Sequence, residues 1–462
     1  MIPPVVVVGG GLAGIATALR LQAADVQVVL VESRRKLGGR ATSFVDPRDG
    51  ATLDNCQHVV MGCCTHLLDL YERLGVAHLI QWHPTIHWAN PPGDPDAITP
   101  GWCPSPGHFA GSFLRARFLS GGAKRAVAQA MWKIIRLGRE GRHQWRGRPF
   151  SDFLSGVKQP REAIEKFWDP VVTSACNLPS ASVDAFHALL VFQQGFLQDA
   201  WSPVMGLASV PLIALYDPAI EMLESGGGSL RLGESVLGLN FDGRRVTGVV
   251  TDEGSIDCSS VVCAVPPDRL AKLCSATMTA ADTRLTHLGE VAFSPILGVH
   301  LFFDQAVLAT PHLVLPGRAT HWLFDKGVDS DGRHHVHAVV SAAYEWMDLD
   351  EPEIVRRVME DIAWALPGTR GLVPSAARAV KEKRATFACT PGIDAIRPTA
   401  SRDGIRGGIE NLFLAGDWCA TGWPATMEGA VRSGDMAAAA LLGNEFKACD
   451  VPAAPLARLL GL

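Results

Sequence analysis

The stretch VVVVGGGLAGIATALRLQAADVQVVLVE, residues 5 to 32, constrains the fold more than any other part of this 462-residue chain. Four consecutive β-branched residues, Val5 to Val8, suit a parallel strand buried on both faces. Gly9, Gly11 and Gly14 follow at GxGxxG spacing. An Ala/Leu-rich helix comes next, and then a second strand predicted over Val26–Val31, closed by Glu32; Leu12 and Ala13, between the glycines, are candidate binding residues with them. The three glycines do different things. Gly9 permits the tight turn, Gly11 lets the backbone approach a pyrophosphate, and Gly14 lets helix and strand pack closely. The pyrophosphate would meet the free N–H groups and positive dipole end of the helix, and Glu32 is suited to accept from a ribose diol. Glycine turns alone are common. Strand, glycines, helix, strand and acid in one short run point to an α/β dinucleotide site rather than to a bland βαβ unit.

Length allows two or three domains and a large core. The composition, 47% hydrophobic and 19% charged, is that of a globular protein. A net charge of −5 gives no reason to expect nucleic acid as a partner. Eleven cysteines, odd in number and irregularly spaced, read as reduced thiols in a cytoplasmic protein rather than as a disulfide framework. The opening residues lack a basic n-region, and no apolar run is long enough for a membrane span, so the expectation is a chain that is soluble or attached to one membrane face.

After Glu32 comes SRRKLGGRATSF, in which Gly38, Gly39 and Arg40 make a second glycine turn with a cation beside the phosphates, and Ser33 is a further candidate cofactor-binding residue. Near the other end stands NLFLAGDWCATGWPATMEGAVRSG, residues 411 to 434. Together these motifs resemble the flavin-containing amine oxidase and phytoene desaturase superfamily. The resemblance implies FAD as cofactor, with Arg40 along its pyrophosphate and Gly416 and Asp417 at its ribityl and phosphate region. Thr426, Met427 and Glu428 would open a helix aimed at the flavin. The middle segment GGGSLRLGESVLGLNFDGRRVTGVV, with Val236 toward the adenine, and VVCAVPP, with Ala264, extend the resemblance. It also implies an interleaved architecture, a Rossmann-like FAD domain built from residues 1–75, 205–270 and 385–462. The insertions 76–204 and 271–384 would form an α+β substrate domain with a mixed sheet. There FSPILGVHLFFD (293–304) alternates like a strand, EPEIVRRVMEDIAWAL (351–366) reads as an amphipathic helix, and the Pro/Gly-rich residues 90–107 read as a loop.

The segment LDNCQHVVMGCC (53–64) lies where the resemblance places the isoalloxazine ring. Cys56, Cys63, Cys64 and His58 lack the paired CxxC spacing of a zinc site, so no metal is expected. Cys63 and Cys64 read as small buried hydrophobes at the head of a helix. Gln57 and His58 are the candidate catalytic pair. A similar run characterises hydroxysqualene dehydroxylases, with glycine usual where Cys56 stands. If that position takes positive φ, cysteine strains the turn.

Thr426 and Gly298 stand where amine oxidases carry a cage tyrosine and a lysine, and the chain has only three tyrosines, so an amine substrate is disfavoured. The resemblance instead implies reductive dehydroxylation of hydroxysqualene to squalene, with His58 either as proton donor or as an uncharged hydrogen-bonding group. A carotenoid or squalene desaturase is the alternative, and a flavin-bearing polyprenoid carrier a third reading. The electron donor is not readable, and an upstream squalene or hydroxysqualene synthase is the implied partner.

Residues 107–150 hold Arg115, Arg117, Lys124, Arg125, Lys133, Arg136, Arg139, Arg142, Arg146 and Arg148 against the single acid Glu140. From Ala123 to Arg139, Val127, Met131, Ile134 and Ile135 share one helical face, with Arg125, Lys133 and Arg136 opposite. Such a helix suits an anionic membrane surface, on the cytoplasmic side; a solvated helix packed on its own domain is the competing reading.

Overall fold

The structure, a computed structural model, describes residues 3–402 and 408–462. Its first sheet has five strands in the order Ser229–Leu232, Val28–Glu32, Val5–Val8, Ser260–Cys263 and Leu412–Leu414, and every pairing is parallel. Val5–Val8 lies at the centre and is buried throughout, which is why its sequence shows no alternation. The second strand starts at Val28, because Val26 N–H bonds back to Leu21 O and closes the helix first. These strands come from three widely separated parts of the chain.

Helix Leu12–Gln22 lies against the late helix Met427–Leu441. Gly434 makes the approach possible: a Cβ there would lie 2.3 Å from Ala13 O. Two polar links cross this seam: Thr17 Oγ1 donates to both Ala13 O and Gly434 O, and Arg20 pairs with Asp435 at 2.9 Å.

The second large sheet has seven strands, in the order Ala376–Phe387, Phe293–Phe303, His334–Ser341, Trp322–Val328, His312–Val314, Ile86–Asn90 and Gly93–Ile98. One pairing, His312–Val314 with Ile86–Asn90, is parallel, and the sheet is mixed. Alternation sends Leu297, Val299 and Leu301 to one face, where Ile354, Val358 and Ile362 of helix Glu351–Ala365 cover them. The opposite face carries Ile296, Gly298 and His300 and meets the backbone of Asp54 and Asn55.

The Pro/Gly-rich residues 90–107 are not wholly a loop, since Gly93–Ile98 forms the edge strand of this sheet. Pro95 is tolerated because an edge strand leaves one row of backbone groups unpaired. Asp96 anchors the strand by accepting from Arg117 N and Phe118 N.

Candidate active site

A cavity of about 1260 Å³ opens at the C-terminal ends of the parallel strands and continues along the face of the mixed sheet that carries Ile296. Its volume exceeds the range of roughly 300–1,000 Å³ usual for one small ligand, so there is room for a cofactor and a substrate together. Gly9, Gly11, Leu12, Ala13, Glu32, Ser33, Gly38, Gly39, Arg40, Gln57, His58, Val236, Ala264, Gly416, Asp417, Thr426, Met427 and Glu428 all line it. Gly14 does not.

The glycines divide as their spacing suggests. Gly9 has φ +107°. A Cβ on Gly14 would sit 1.9 Å from Gly9 O, so that glycine serves packing. A Cβ on Gly11 would meet only Gly39 Cα, at 3.9 Å. Nothing in the protein therefore requires Gly11 to be glycine, and the space beside it is the cavity itself. Gly11 caps the first helix without a side-chain hydrogen bond, which leaves the first-turn N–H groups facing that space. This is a cradle for a pyrophosphate. Gly39, at φ +61°, closes its far side.

The charged residues here are partnered. Glu32 accepts from Gly10 N at 2.7 Å and Arg34 N at 2.9 Å, so its carboxylate also braces both glycine turns. Arg40 is ion-paired with Asp417 and donates to Ala385 O. Glu428 corrects part of its expected role. Its buried carboxylate accepts from His66 N and Leu67 N and pairs with Arg432, so it caps helix Thr65–Arg73. Only its backbone, in the first turn of Met427–Leu441, is left for a ligand. Thr426 caps that helix by accepting from Gly429 N at 3.0 Å.

The middle of the cavity is lined by the segment Asn55 to His58. Cys56 is buried and is not among the residues with positive φ, so the expected strain of its turn is absent. His58 Nδ1 lies 3.0 Å from Cys56 O. A carbonyl only accepts, so Nδ1 carries the proton. Burial pushes the His58 imidazole below its ordinary pKa, against the opposing pull of that hydrogen bond, and its neutral form exposes Nε2 as an acceptor. Lys326 Nζ sits 3.4 Å from Asp54 Oδ2 and 3.3 Å from Gln57 Oε1, orienting the glutamine. Cys63 packs with Phe186, Leu190 and Trp423 as a small hydrophobe, and Cys64 stands at the N-terminal boundary of the following helix without a side-chain capping bond. Among the described residues no cluster of three or more His, Cys, Asp or Glu is placed to hold a metal.

Behind this segment lies a set of imidazoles that no local sequence motif marks as a site. His300 Nε2 contacts Asp54 O at 2.9 Å, so Nε2 donates, and His300 Nδ1 then accepts from His335 Nε2 at 2.9 Å. His337 stacks on His300 with ring centroids 4.0 Å apart. A Cβ on Gly298 would lie 2.7 Å from His337 Nε2, so no longer side chain fits there while His337 holds its place. The alternation His335, His337, Val339 in HHVHAVV was the available signal.

Beyond the histidines the walls turn apolar, with Trp88, Phe113, Phe167, Phe192, Trp322 and Phe324 among them. Residues 164–168 and 191–197 are π-helical, an uncommon geometry often found at functional sites, and both supply lining side chains. Helix Gly121–Gly141 closes this end, and its placement corrects the expected membrane geometry. Val127, Ile134 and Ile135 are buried against the protein, so the apolar face is spent on the core and cavity. Lys124, Arg139, Arg142, Arg146, Arg148 and Arg117 all have partners within the chain. Arg115, Arg125, Lys133 and Arg136 are exposed, next to exposed Trp132 and Leu114. No helix among the described residues is long and apolar enough to cross a membrane.

Comparison with known proteins agrees with this arrangement. Residues 12–442 match the family described as flavin containing amine oxidoreductase. The chain is 28% identical over 452 residues to a hydroxysqualene dehydroxylase of Sinorhizobium fredii, covering 94% of this chain and 96% of that protein. It is 25% identical to the 15-cis-phytoene desaturase of Solanum lycopersicum, covering 95% of this chain and 77% of that one. A putrescine oxidase triple mutant superposes with a TM-score of 0.73 at 16% identity, over 96% of this chain and 99% of its own, which bears on the fold. A family match over nearly the whole length thus meets a pyrophosphate cradle that the backbone leaves open, and the chain belongs to the flavin containing amine oxidoreductase family as an FAD-dependent oxidoreductase.

Proposed function

We propose that the protein acts on a long isoprenoid and replaces an allylic hydroxyl by hydride, converting hydroxysqualene to squalene. The observation that carries this reading is the continuity of one cavity from the glycine turns, past Gln57 and His58, into a chamber walled by aromatic and aliphatic side chains. A flexible hydrocarbon needs such walls and few polar anchors. Two proteins similar in sequence over most of the chain bear names that fit, hydroxysqualene dehydroxylase and 15-cis-phytoene desaturase.

FAD, when bound and reduced, supplies the hydride. The chain supplies the rest. Gly9, Gly11, Leu12, Ala13, Gly38, Gly39 and Arg40 hold the pyrophosphate, Glu32 and Ser33 the ribose, and Val236 and Ala264 the adenine side. Gly416, Asp417 and the helix start at Thr426 and Met427 hold the flavin side. Gln57, fixed by Lys326, and His58, presenting Nε2, orient the substrate hydroxyl. The apolar walls keep water from the allylic cation left when the C–O bond breaks. On this reading residues 1–75, 205–270 and 385–462 form the cofactor domain, and 76–204 with 271–384 the substrate domain.

The cavity reaches Met131 and Trp132 on the basic helix, which makes that end the substrate entrance. Peripheral contact with the cytoplasmic face of an anionic membrane would use Trp132 and Leu114 as insertion points and Arg125, Lys133 and Arg136 as phosphate contacts, at about 1 kcal/mol per cation. Replacing those three cations by glutamine should weaken salt-sensitive binding to anionic vesicles with flavin content unchanged. Equal binding would remove the membrane from the reading.

A carotenoid or squalene desaturase is the second reading, favoured by the similarity to phytoene desaturase. One experiment separates the two. Anaerobically reduced protein mixed with hydroxysqualene should yield squalene and oxidised flavin in one turnover, while oxidised protein leaves hydroxysqualene unchanged. Double bonds introduced into phytoene or squalene by oxidised protein, with no reaction of reduced protein, would establish the desaturase instead.

A further inference from the structure

Releasing the hydroxyl as water takes a proton. His58 is arranged to accept, since its Nδ1–H is engaged by Cys56 O. We infer that Glu382 is the acid that protonates the leaving hydroxyl, an assignment that rests on the dehydroxylation reading.

The carboxylates along the cavity separate into two kinds. Glu32, Glu234, Asp417 and Glu428 are each tied to the chain by cations or by several donors. Glu382 has one hydrogen bond among the described residues, Arg384 N to Oε1 at 3.2 Å. It is half-buried and lines the cavity with no cation holding it. A carboxyl left uncommitted beside an apolar chamber has no evident structural purpose.

The strand is built to place it there. Ala376–Phe387 pairs with Phe293–Phe303 in regular register up to Ile296↔Glu382, and the next pair is Ser294↔Thr386. Four residues on one strand thus span two on the other, a bulge that breaks the pleat at Glu382. Bulges beside active sites re-aim side chains. The same bulge presents Ala385 O to Arg40. Across the sheet Glu382 stands in one row with Ile296 and Ser341, which also line the cavity. It lines the same cavity as Asn55, Cys56, Gln57 and His58.

In the step, the O–H bond of Glu382 and the carbinol C–O bond break together, and proton and hydroxyl leave as water. Hydride from reduced FAD completes the electron count at carbon. Glu382 is left as a carboxylate and regains its proton from solvent.

Glu382→Gln retains an oxygen for Arg384 N and nearly the same shape, but it cannot deliver the proton. In anaerobic single turnover of the reduced holoenzyme with hydroxysqualene, it should slow flavin oxidation and squalene formation about 100-fold or more, within the range of general acid catalysis. Flavin content, and the change in tryptophan fluorescence on adding hydroxysqualene to oxidised protein, should match wild type. Glu382→Asp should fall between the two. A Glu382→Gln rate within threefold of wild type, or loss of flavin from that variant, would show that Glu382 only shapes the bulge. Wild-type reduced protein that leaves hydroxysqualene untouched would overturn the dehydroxylation reading and this assignment with it.

Discussion

The glycine-rich end of the cavity is walled largely by backbone: the turns at Gly9, Gly11, Gly38 and Gly39, the uncapped start of Leu12–Gln22 and the Thr426-capped start of Met427–Leu441. The mixed-sheet end is walled by side chains, with Trp88, Phe192, Trp322 and Glu382 contributed by elements far apart in sequence. A backbone wall suits a ligand of fixed shape and charge, because N–H groups and helix ends cannot be displaced by rotamer changes. A side-chain wall suits a long apolar ligand and lets its polar groups be placed one by one. The two ends also handle charge differently. Ions near the glycines are paired, whereas the mixed sheet itself carries imidazoles held neutral.

That last contrast gives the largest expected effect. Burial lowers His300 to about 4 and His312 to about 3, and it pushes His337 well below its ordinary value, helped by the charge of Lys326 and by the repulsion His337 would meet from His300 if both were protonated. All three are fully buried. Their folded pKa values lie below the unfolded value near 6.5, so the unfolded chain binds more protons and stability rises with pH. Relative to pH 8, stability should be unchanged above about 6.5 and fall as pH drops toward 4, each histidine losing up to ~1.4 kcal/mol per pH unit. Denaturant titrations at pH 7.5, 6, 5 and 4 would show it. A flat midpoint across that window would mean the imidazoles are not held neutral.

Next comes a pair of glycines. Gly14→Ala drives a Cβ into Gly9 O and should cost about 3 kcal/mol, with the fold and the flavin lost together. Gly11→Ala puts its Cβ into open space, so the apoprotein should unfold at nearly the wild-type denaturant concentration while FAD binds roughly tenfold or more weakly, about 1.4 kcal/mol. Equal losses of stability in the two variants would end the distinction between a packing glycine and a ligand glycine.

The same contrast explains what was legible in the sequence. The cradle is built from two short local turns, in which positive φ at Gly9, Gly38 and Gly39, close packing at Gly14 and open ligand space at Gly11 each favour glycine. Even so, the carboxylate of Glu428 turned out to cap a neighbouring helix, because that helix start comes near only in the folded chain. At the other end little was local. Glu382 sits in KEKRATF, which reads as a charged strand, and only the bulge against Ser294 and Ile296 turns it inward. The basic helix was read correctly as amphipathic, but periodicity does not say what covers the apolar face, and the protein itself covers it. Gly93–Ile98 was hidden by prolines that an edge strand tolerates.

The smallest expected effect lies where the two ends meet. Cys56 stands where glycine was expected to be needed, yet its φ is not positive and its side chain packs in the core at 6% exposure. Burial raises its thiol to about 12, so it stays protonated and apolar at neutral pH. The contact that matters to the site is its carbonyl, which fixes the His58 tautomer and which any residue supplies. Cys56→Gly removes a small apolar contact and frees the backbone, for a loss of about 1 kcal/mol in the denaturation midpoint. Flavin content and single-turnover rate should stay within about twofold of wild type, the range of a few tenths of a kcal/mol. A much larger loss of rate would show that the thiol itself touches the cofactor or the substrate, and the boundary between the backbone wall and the side-chain wall would then run through Cys56.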